Sequence, residues 1–327
     1  MTNVIANFKI SGLFQYLLSR FWMKILYAIN YNKGKSQSIN FNNSIVNLKL
    51  EDLEQLYLYK DCIREPENTI LYKALAKYRI VDLFVDIGAN CGHVACSVMQ
   101  DFNKIVLIEP NPYLFTILKS IFANSKNVTL NECAIVSSPS LKTVTLSVPV
   151  TSSGLASIGD SHLSLGSDCI AYEVAANTLD SILINEQGRP YIKIDVEGLE
   201  FEIIKSALGY IQSNRPVVGF EALTKERALH CSELFVDYSF YCSRFNFMES
   251  GGALSKSLLK LFSSLFSGHN IQILKIENIS AVDITNYSQL IAVPNEISCR
   301  LEKAVSDFSI DYPTVNLNNF RSWSKDV

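Results

Sequence analysis

The chain has 327 residues, 48% of them hydrophobic and 19% charged, with a net charge of −3. That much apolar material builds a sizeable core and excludes a disordered chain. The charge balance excludes the broadly basic surface that nucleic acids attract.

In chain order, residues 1–60 read as a helical and loop extension. Leu13, Leu17, Leu18, Phe21, Ile25, Leu26 and Ile29 recur at helical spacing. Arg20 and Lys24 interrupt them, so an uncharged membrane span is missing, and no cleavage pattern of a signal peptide follows. A helix packed on the main domain is the expectation, and an interfacial membrane helix is the alternative. Gly34 to Asn47 is polar and Ser/Asn-rich, which reads as a linker. Pro66, between Glu65 and Glu67, starts a helix to about Tyr78.

The apolar run Ile80 to Ile87 predicts a buried parallel strand, followed by a turn and a helix over His93 to Phe102. Strands are then expected at Lys104 to Ile108, Asn127 to Cys133, Thr143 to Val148, Tyr191 to Ile194 and Val217 to Phe220. Helices fall between them at Pro112 to Asn124, Thr178 to Asn185 and Leu199 to Ile211. Thr151 to Ser167 is a Ser/Gly-rich loop. Later strands fit Ser239–Phe245, Ile271–Ile276 and Gln289–Val293. Repeated βα units mean a parallel sheet with right-handed crossovers. The domain spans 61–300, with an insertion at about 249–270, and 301–327 is a tail. Within the insertion Leu254, Leu258, Leu261, Phe262 and Leu265 again permit a core or a membrane-touching helix. Eight cysteines, at 62, 91, 96, 133, 169, 231, 242 and 299, include no Cys-x-x-Cys pair. They read as free thiols of a reducing cytosol.

The richest stretch is Val85-Asp86-Ile87-Gly88-Ala89-Asn90-Cys91-Gly92. A strand, a glycine turn and a helix start place backbone N–H groups and a positive helix end in one crevice. Gly88 permits the tight turn, and Gly92 is expected to let a ligand approach the backbone. Asn90 in place of a middle glycine points away from a standard dinucleotide fingerprint. It tolerates left-handed geometry and serves the loop or the ligand. Ligands bind at the carboxyl ends of parallel strands, which selects Asp86, Glu109, Asp195, Glu197 and Glu221. Glu109, about twenty residues past the turn, suits ribose hydroxyls. Asp86 either accepts from a ligand amino group or orients the turn. Asp195 and Glu197 leave one strand end together; they suit an amine, a divalent metal or a substrate hydroxyl. Glu200 and Glu202 suit the first turn of a helix. His93 is read as capping or packing, and His162, His230 and His269 have no partner spacing.

Five segments resemble the FkbM family of S-adenosylmethionine-dependent methyltransferases. They are Val85-Asp86-Ile87-Gly88-Ala89-Asn90-x-Gly92, Ile108-Glu109-Pro110-Asn111-Pro112, Asn127-Val128-Thr129-Leu130 leading to Ala134, Asn177-Thr178-Leu179-Asp180-Ser181, and Ile192-Lys193-Ile194-Asp195-Val196-Glu197-Gly198-x-Glu200. They follow the family's order and span about Val81 to Val293. The resemblance implies a class I methyltransferase fold: a Rossmann-like α/β fold, its seven-stranded, mostly parallel sheet flanked by helices and its last strand antiparallel. It implies S-adenosylmethionine held by Asp86, Gly88, Asn90, Gly92, Glu109, Asn111 and Ala134, with Glu109 on the ribose and Cys133–Ala134 beside the adenine. It also implies O-methylation of a sugar hydroxyl in a glycan or glycosylated metabolite. Leu199 departs from the family, which often has a smaller residue there, and residues 1–60 lie outside the match.

On that reading Asp195 or Glu197 takes the hydroxyl proton. A divalent metal, if used, would take Asp195, Glu197 and Glu221 as ligands. The expected partner is a small-molecule or saccharide acceptor, with no nucleic acid. The expected location is the cytoplasm, with peripheral contact at the inner face of the membrane open to the two amphipathic stretches. Two other readings compete. An NAD-type oxidoreductase needs the same turn and ribose acid. A non-catalytic protein would use the amphipathic stretches to dock on a membrane or partner.

Overall fold

A computed structural model describes residues 2–11, 13–30, 33–41, 44–59, 64–149, 156–158, 169–222, 224–246, 270–281, 289–312 and 314–316. It begins with strand β1 (Thr2–Ser11), helix α1 (Leu13–Asn30), strands β2 (Ser36–Phe41) and β3 (Ser44–Lys49), and helices α2 (Leu53–Tyr59) and α3 (Pro66–Lys77). Next come β4 (Leu83–Ile87), α4 (His93–Val98), β5 (Lys104–Ile108), α5 (Pro112–Ile121), β6 (Val128–Asn131), β7 (Ala134–Ile135), β8 (Thr143–Pro149), β9 (Ser157–Ile158) and β10 (Cys169–Asn177). The rest is α6 (Leu179–Leu183), β11 (Pro190–Ile194), α7 (Glu200–Ser206), α8 (Leu208–Asn214), β12 (Val217–Phe220), α9 (Lys225–Glu233), β13 (Tyr238–Asn246), β14 (Asn270–Ile276), β15 (Leu290–Pro294), α10 (Asn295–Asp311) and β16 (Thr314–Asn316).

The main sheet runs β16-β1-β14-β13-β15-β12-β11-β4-β5-β6. β12, β11, β4, β5 and β6 pair in parallel, and β15 lies antiparallel between β12 and β13. The seven strands from β13 to β6 are therefore the expected class I methyltransferase sheet, with β15 as its antiparallel member. Among the described residues the sheet has ten strands, because β14, β1 and β16 extend it.

Helices cover both faces of the parallel half, so β4 and β11 are buried along their whole length and are apolar but for Asp86 and Lys193. Alternation still sorts their side chains. Phe84 of β4 stacks on Tyr191 of β11, with ring centroids 5.6 Å apart, and Tyr72 of α3 meets both edge-on. Val85 and Ile192 face the opposite core, with Ile203 and Ile204 of α7. Each aromatic buried in this way contributes roughly 3 kcal/mol or more against truncation to alanine.

Several expectations need correction. Residues 1–60 are not merely helical and loop: β1 joins the main sheet, with Ala6 and Phe8 buried and Asn7 and Lys9 exposed, the alternation of a half-buried strand. Gly34 to Asn47 is mostly a hairpin rather than a linker, because Phe41, Val46 and Leu48 point into the core. The expected helix Leu199 to Ile211 breaks at Ala207, whose N–H reaches both Ile203 O and Ile204 O. α4 ends at Val98, short of Phe102. The proposed tail contains much of α10, which buries Leu301, Ala304, Val305 and Phe308. A second sheet, β7-β10-β8-β9, includes an unforeseen strand, β10. Most of the loop Thr151 to Ser167, the helix sought at Leu254 to Leu265, Cys62, His162 and His269 lie outside the described residues. The seven described cysteines are free thiols.

Candidate active site

The carboxyl ends of β4, β5 and β11 open into one cavity of about 410 Å³. The turn after β4 is held by Gly88 and Ala89, whose N–H groups donate to Ile108 O at 3.0 and 3.1 Å. Gly88 has φ +81°, and a Cβ there would stand 1.9 Å from the backbone oxygen of Asp195. Only glycine lets the β4 and β11 loops approach so closely. Gly92 differs from expectation. A Cβ there would meet Leu118 and Phe122 of α5 at 2.9 and 3.0 Å, so its small size serves packing, and it does not line the cavity. Asn90 lines the cavity with φ +53°, and its Oδ1 accepts the Cys91 N–H at 2.7 Å, so the side chain serves the loop.

Glu109, 5% exposed, ends β5. Its Oε2 accepts the Asn90 N–H at 2.8 Å and its Oε1 the Asn111 N–H at 2.9 Å. The carboxylate is thus clamped between two loops, and each oxygen keeps a lone pair for a further donor. Burial pushes it up to about 7, while the two N–H bonds pull it back. Asn111 caps α5 by accepting the Tyr113 N–H at 3.0 Å. It is buried and does not line the cavity. Cys133, Ala134 and Ile135 do line it, forming an apolar wall with Leu146, Ala156 and Ile158.

Lys193 is the residue that sequence reasoning missed. It sits opposite Asp86 in the β4–β11 ladder and is 3% exposed. Its ammonium donates to Asp195 Oδ2 at 2.9 Å and lies 3.5 Å from Asp86 Oδ1, a buried oxygen with no hydrogen-bond partner. Burial raises Asp86 to about 6 against the pull of Lys193. Burial lowers Lys193, but Asp195 and then Asp86 outweigh it and hold the ammonium well above its usual value. The available signal was a lone lysine inside the apolar run Tyr191–Ile194, since lysine is seldom buried unless paired.

Glu197 lines the cavity with φ +53°, pushed up to about 7 by burial and then by Asp195. Glu200 turns back and accepts the N–H groups of Val196 and Gly198, so it shapes the loop. Glu221, after β12, is raised to about 8 by burial and then by Asp195 and Glu197, yet does not line the cavity. The metal set Asp195, Glu197 and Glu221 is not assembled. Among the described residues no three His, Cys, Asp or Glu side chains are arranged to hold a metal ion.

The segment before β4 closes the remaining wall with Leu53, Glu54, Arg64 and Glu65. Arg64 pairs with Glu54 at 2.9 Å, and His93 Nε2 lies 2.8 Å from the Glu54 main-chain oxygen. Burial, helped by Arg64, lowers His93 to about 3, so it is neutral and fixed, as a packing histidine should be. The motif-based reading left these upstream residues out because they lie far from the glycine turn in sequence.

A parallel sheet with one antiparallel strand beside its edge, a glycine turn after its central strand and an acid at the next strand end define the class I methyltransferase fold. The FkbM methyltransferase domain matches residues 86–249, half of the chain, and the chain belongs to that family. The family implies S-adenosylmethionine as cofactor. Among curated proteins, none matches. Similar solved structures include a methyltransferase FkbM from Methylobacillus flagellatus KT, at 19% identity over 49% of this chain and 39% of that one, with a TM-score of 0.34. Others are the precorrin-6y C5,15-methyltransferase of Geobacter metallireducens GS-15 (16% identity, 63% and 85% covered, TM-score 0.30) and M. jannaschii TYW2 in complex with AdoMet (9%, 81% and 89%, 0.33).

Proposed function

We propose that this protein moves a methyl group from S-adenosylmethionine to an acceptor hydroxyl, with a sugar hydroxyl of a glycan or glycosylated metabolite as the acceptor. The observation that carries this reading is the charge of the cavity. Its lining holds six acids, Glu54, Glu65, Asp86, Glu109, Asp195 and Glu197, against two cations, Arg64 and Lys193. Such a site suits a cofactor bearing a sulfonium and an ammonium, and opposes the pyrophosphate of NAD.

The remaining donor and acceptor groups fit the same cofactor. Glu109 has lone pairs for the two ribose hydroxyls. Asp86 Oδ1, which has Lys193 at 3.5 Å and accepts no hydrogen bond, suits a second ammonium. The Cys133–Ile135 wall suits a flat base. When bound, S-adenosylmethionine supplies a methyl group already activated by positive sulfur. Placing the acceptor in line therefore supplies much of the acceleration. Glu197, pushed up to about 7, exchanges its proton near neutral pH and takes the hydroxyl proton. Asp195, held by Lys193, orients the acceptor.

Calorimetric titration with S-adenosylmethionine and separately with NAD tests the reading. Saturable binding of S-adenosylmethionine alone is expected, weakened in Glu109→Ala by a factor on the order of 100. Preference for NAD overturns it, and binding of neither by folded protein favours a non-catalytic role. Glu197→Gln that retains full turnover of an acceptor saccharide removes the assignment of the base.

A further inference from the structure

Helix α1 presents two apolar faces, and the structure covers one of them. Met23 is 2% exposed and packs, with Leu26 and Tyr27, against Leu53, Leu56 and Tyr57 around α2. On the other side Phe21, Trp22, Ile25 and Ile29 recur at helical spacing. Phe21, Trp22 and Ile29 are 52%, 53% and 49% exposed. The Phe21 and Trp22 rings stand 6.3 Å apart, side by side on the surface. An exposed stripe with two aromatics does not come from core packing.

The segment that carries this stripe is one-sided in charge, and the acid set against it is Glu51, which accepts the Gly34 N–H between Lys33 and Lys35 at 2.9 Å. Residues 1–50 contain Lys9, Arg20, Lys24, Lys33, Lys35 and Lys49 and no acid, so all 32 Asp and Glu lie after residue 50. The first 50 residues therefore carry +6, and the remaining 277, with 23 basic residues against 32 acids, carry −9. Lys24 lies on α1 itself, and Lys33 and Lys35 follow its end; all three are exposed. No helix among the described residues is long and apolar enough to cross a membrane.

We infer that α1 is a docking surface for an anionic lipid bilayer, lying in the plane of the headgroups. Phe21, Trp22 and Ile29 enter the boundary of the acyl chains, and the lysines meet the lipid phosphates. Aromatic and aliphatic side chains with nearby lysines are what such helices use. The −9 of the rest of the chain turns the acidic surface away from the lipid, which fixes which side docks. α1 rests on α2, and α2 brings Leu53 and Glu54 to the cavity wall, so docking places the cavity one helix from the lipid surface.

The test is co-sedimentation of the full chain with vesicles of phosphatidylcholine containing a minority of phosphatidylglycerol, and with pure phosphatidylcholine. Three lysines near an anionic surface predict roughly a hundredfold stronger partition on the anionic vesicles, most of it lost at high salt. The double variant Phe21→Ser/Trp22→Ser should lose vesicle binding while keeping the cofactor affinity of the parent. In a Trp323→Phe background, the emission of Trp22 should shift to the blue on anionic vesicles only. Equal partition on both lipids, partition that survives the double variant, or no partition at all overturns the inference. So does a concentration-dependent dimer, seen by analytical ultracentrifugation, that the double variant abolishes, because a second copy would then cover the stripe.

Discussion

Three acids of helix α10 each hold a basic partner, while the acids around the cavity outnumber theirs. Glu296 pairs with Arg215 at 2.9 Å, Glu302 with Lys275 at 2.8 Å and Asp311 with Lys77 at 2.8 Å. All three carboxyls are lowered. Hydrogen bonds from Arg215 act on Glu296, and those from Lys77 and Tyr78 on Asp311; for Glu302, Lys275 and Tyr241 outweigh the rise due to burial. Asp86, Glu109, Glu197 and Glu221 move the other way, to about 6, 7, 7 and 8, with burial as the leading cause of each. Acids of an ion-pair network are satisfied within the chain. Acids gathered in excess at a buried strand end leave negative charge that the chain itself does not neutralise, which separates a candidate site from a structural network.

The largest effect is expected where the site has its one buried ammonium. Lys193→Met strands Asp86 and Asp195, and should cost about 3 kcal/mol in denaturant melts at neutral pH. A loss near zero would break the contrast between the two regions. Next comes the dependence on pH. The four raised carboxyls bind protons more tightly folded than unfolded, so their contribution is present below their ordinary values near 4 and is lost as pH rises through about 6 to 8. The thermal midpoint of ligand-free protein should therefore fall across that window, and Glu109→Gln should flatten the fall. A midpoint that rises with pH there would reverse the assignment. The smallest effect belongs to α10. Lys275→Ala breaks a partly exposed pair, with 33% and 28% side-chain exposure, and should cost about 0.5 kcal/mol in the same melts. A cost equal to that of Lys193→Met would erase the distinction.

The same division governs what could be read from the chain alone. The parallel half was legible because β4, β5, β11 and β12 are short, mostly apolar runs, with an acid at the penultimate position of β4 and directly after each of the other three. Asp86, Glu109, Asp195 and Glu197 fall where the strand-end rule puts them, and Ala134 lines the wall expected of it. Strand β1 was not legible. Its partners in β14 lie at the far end of the sequence, Thr2 facing Ile276, and its few apolar residues alternate weakly. β10 was hidden because most of its side chains are at least partly exposed. The hairpin β2–β3 looked like a linker because its exposed positions are mostly polar: Ser36, Gln37, Ser38, Asn40, Asn47 and Lys49. Helix α10 did carry a signal, Ile297, Leu301, Ala304, Val305 and Phe308 at helical spacing, which a reading centred on the motif region passed over. Lys193 was visible as a residue, but its role depends on the cross-strand register that sets it against Asp86.

The position of β1 also sets a timetable. Strand β1 is made before the other strands of its sheet, yet its ladder with β14 needs residues 270–276, and its parallel contact with β16 needs 314–316. Domains begin to form during synthesis, and pairings over long sequence distances close slowly. The β4–β12 half, complete by residue 220, can assemble while Ala6 and Phe8 still have no partner strand. Within this sheet the strand made first is thus among the last to be locked in place, and its edge stays open until β14 has been made.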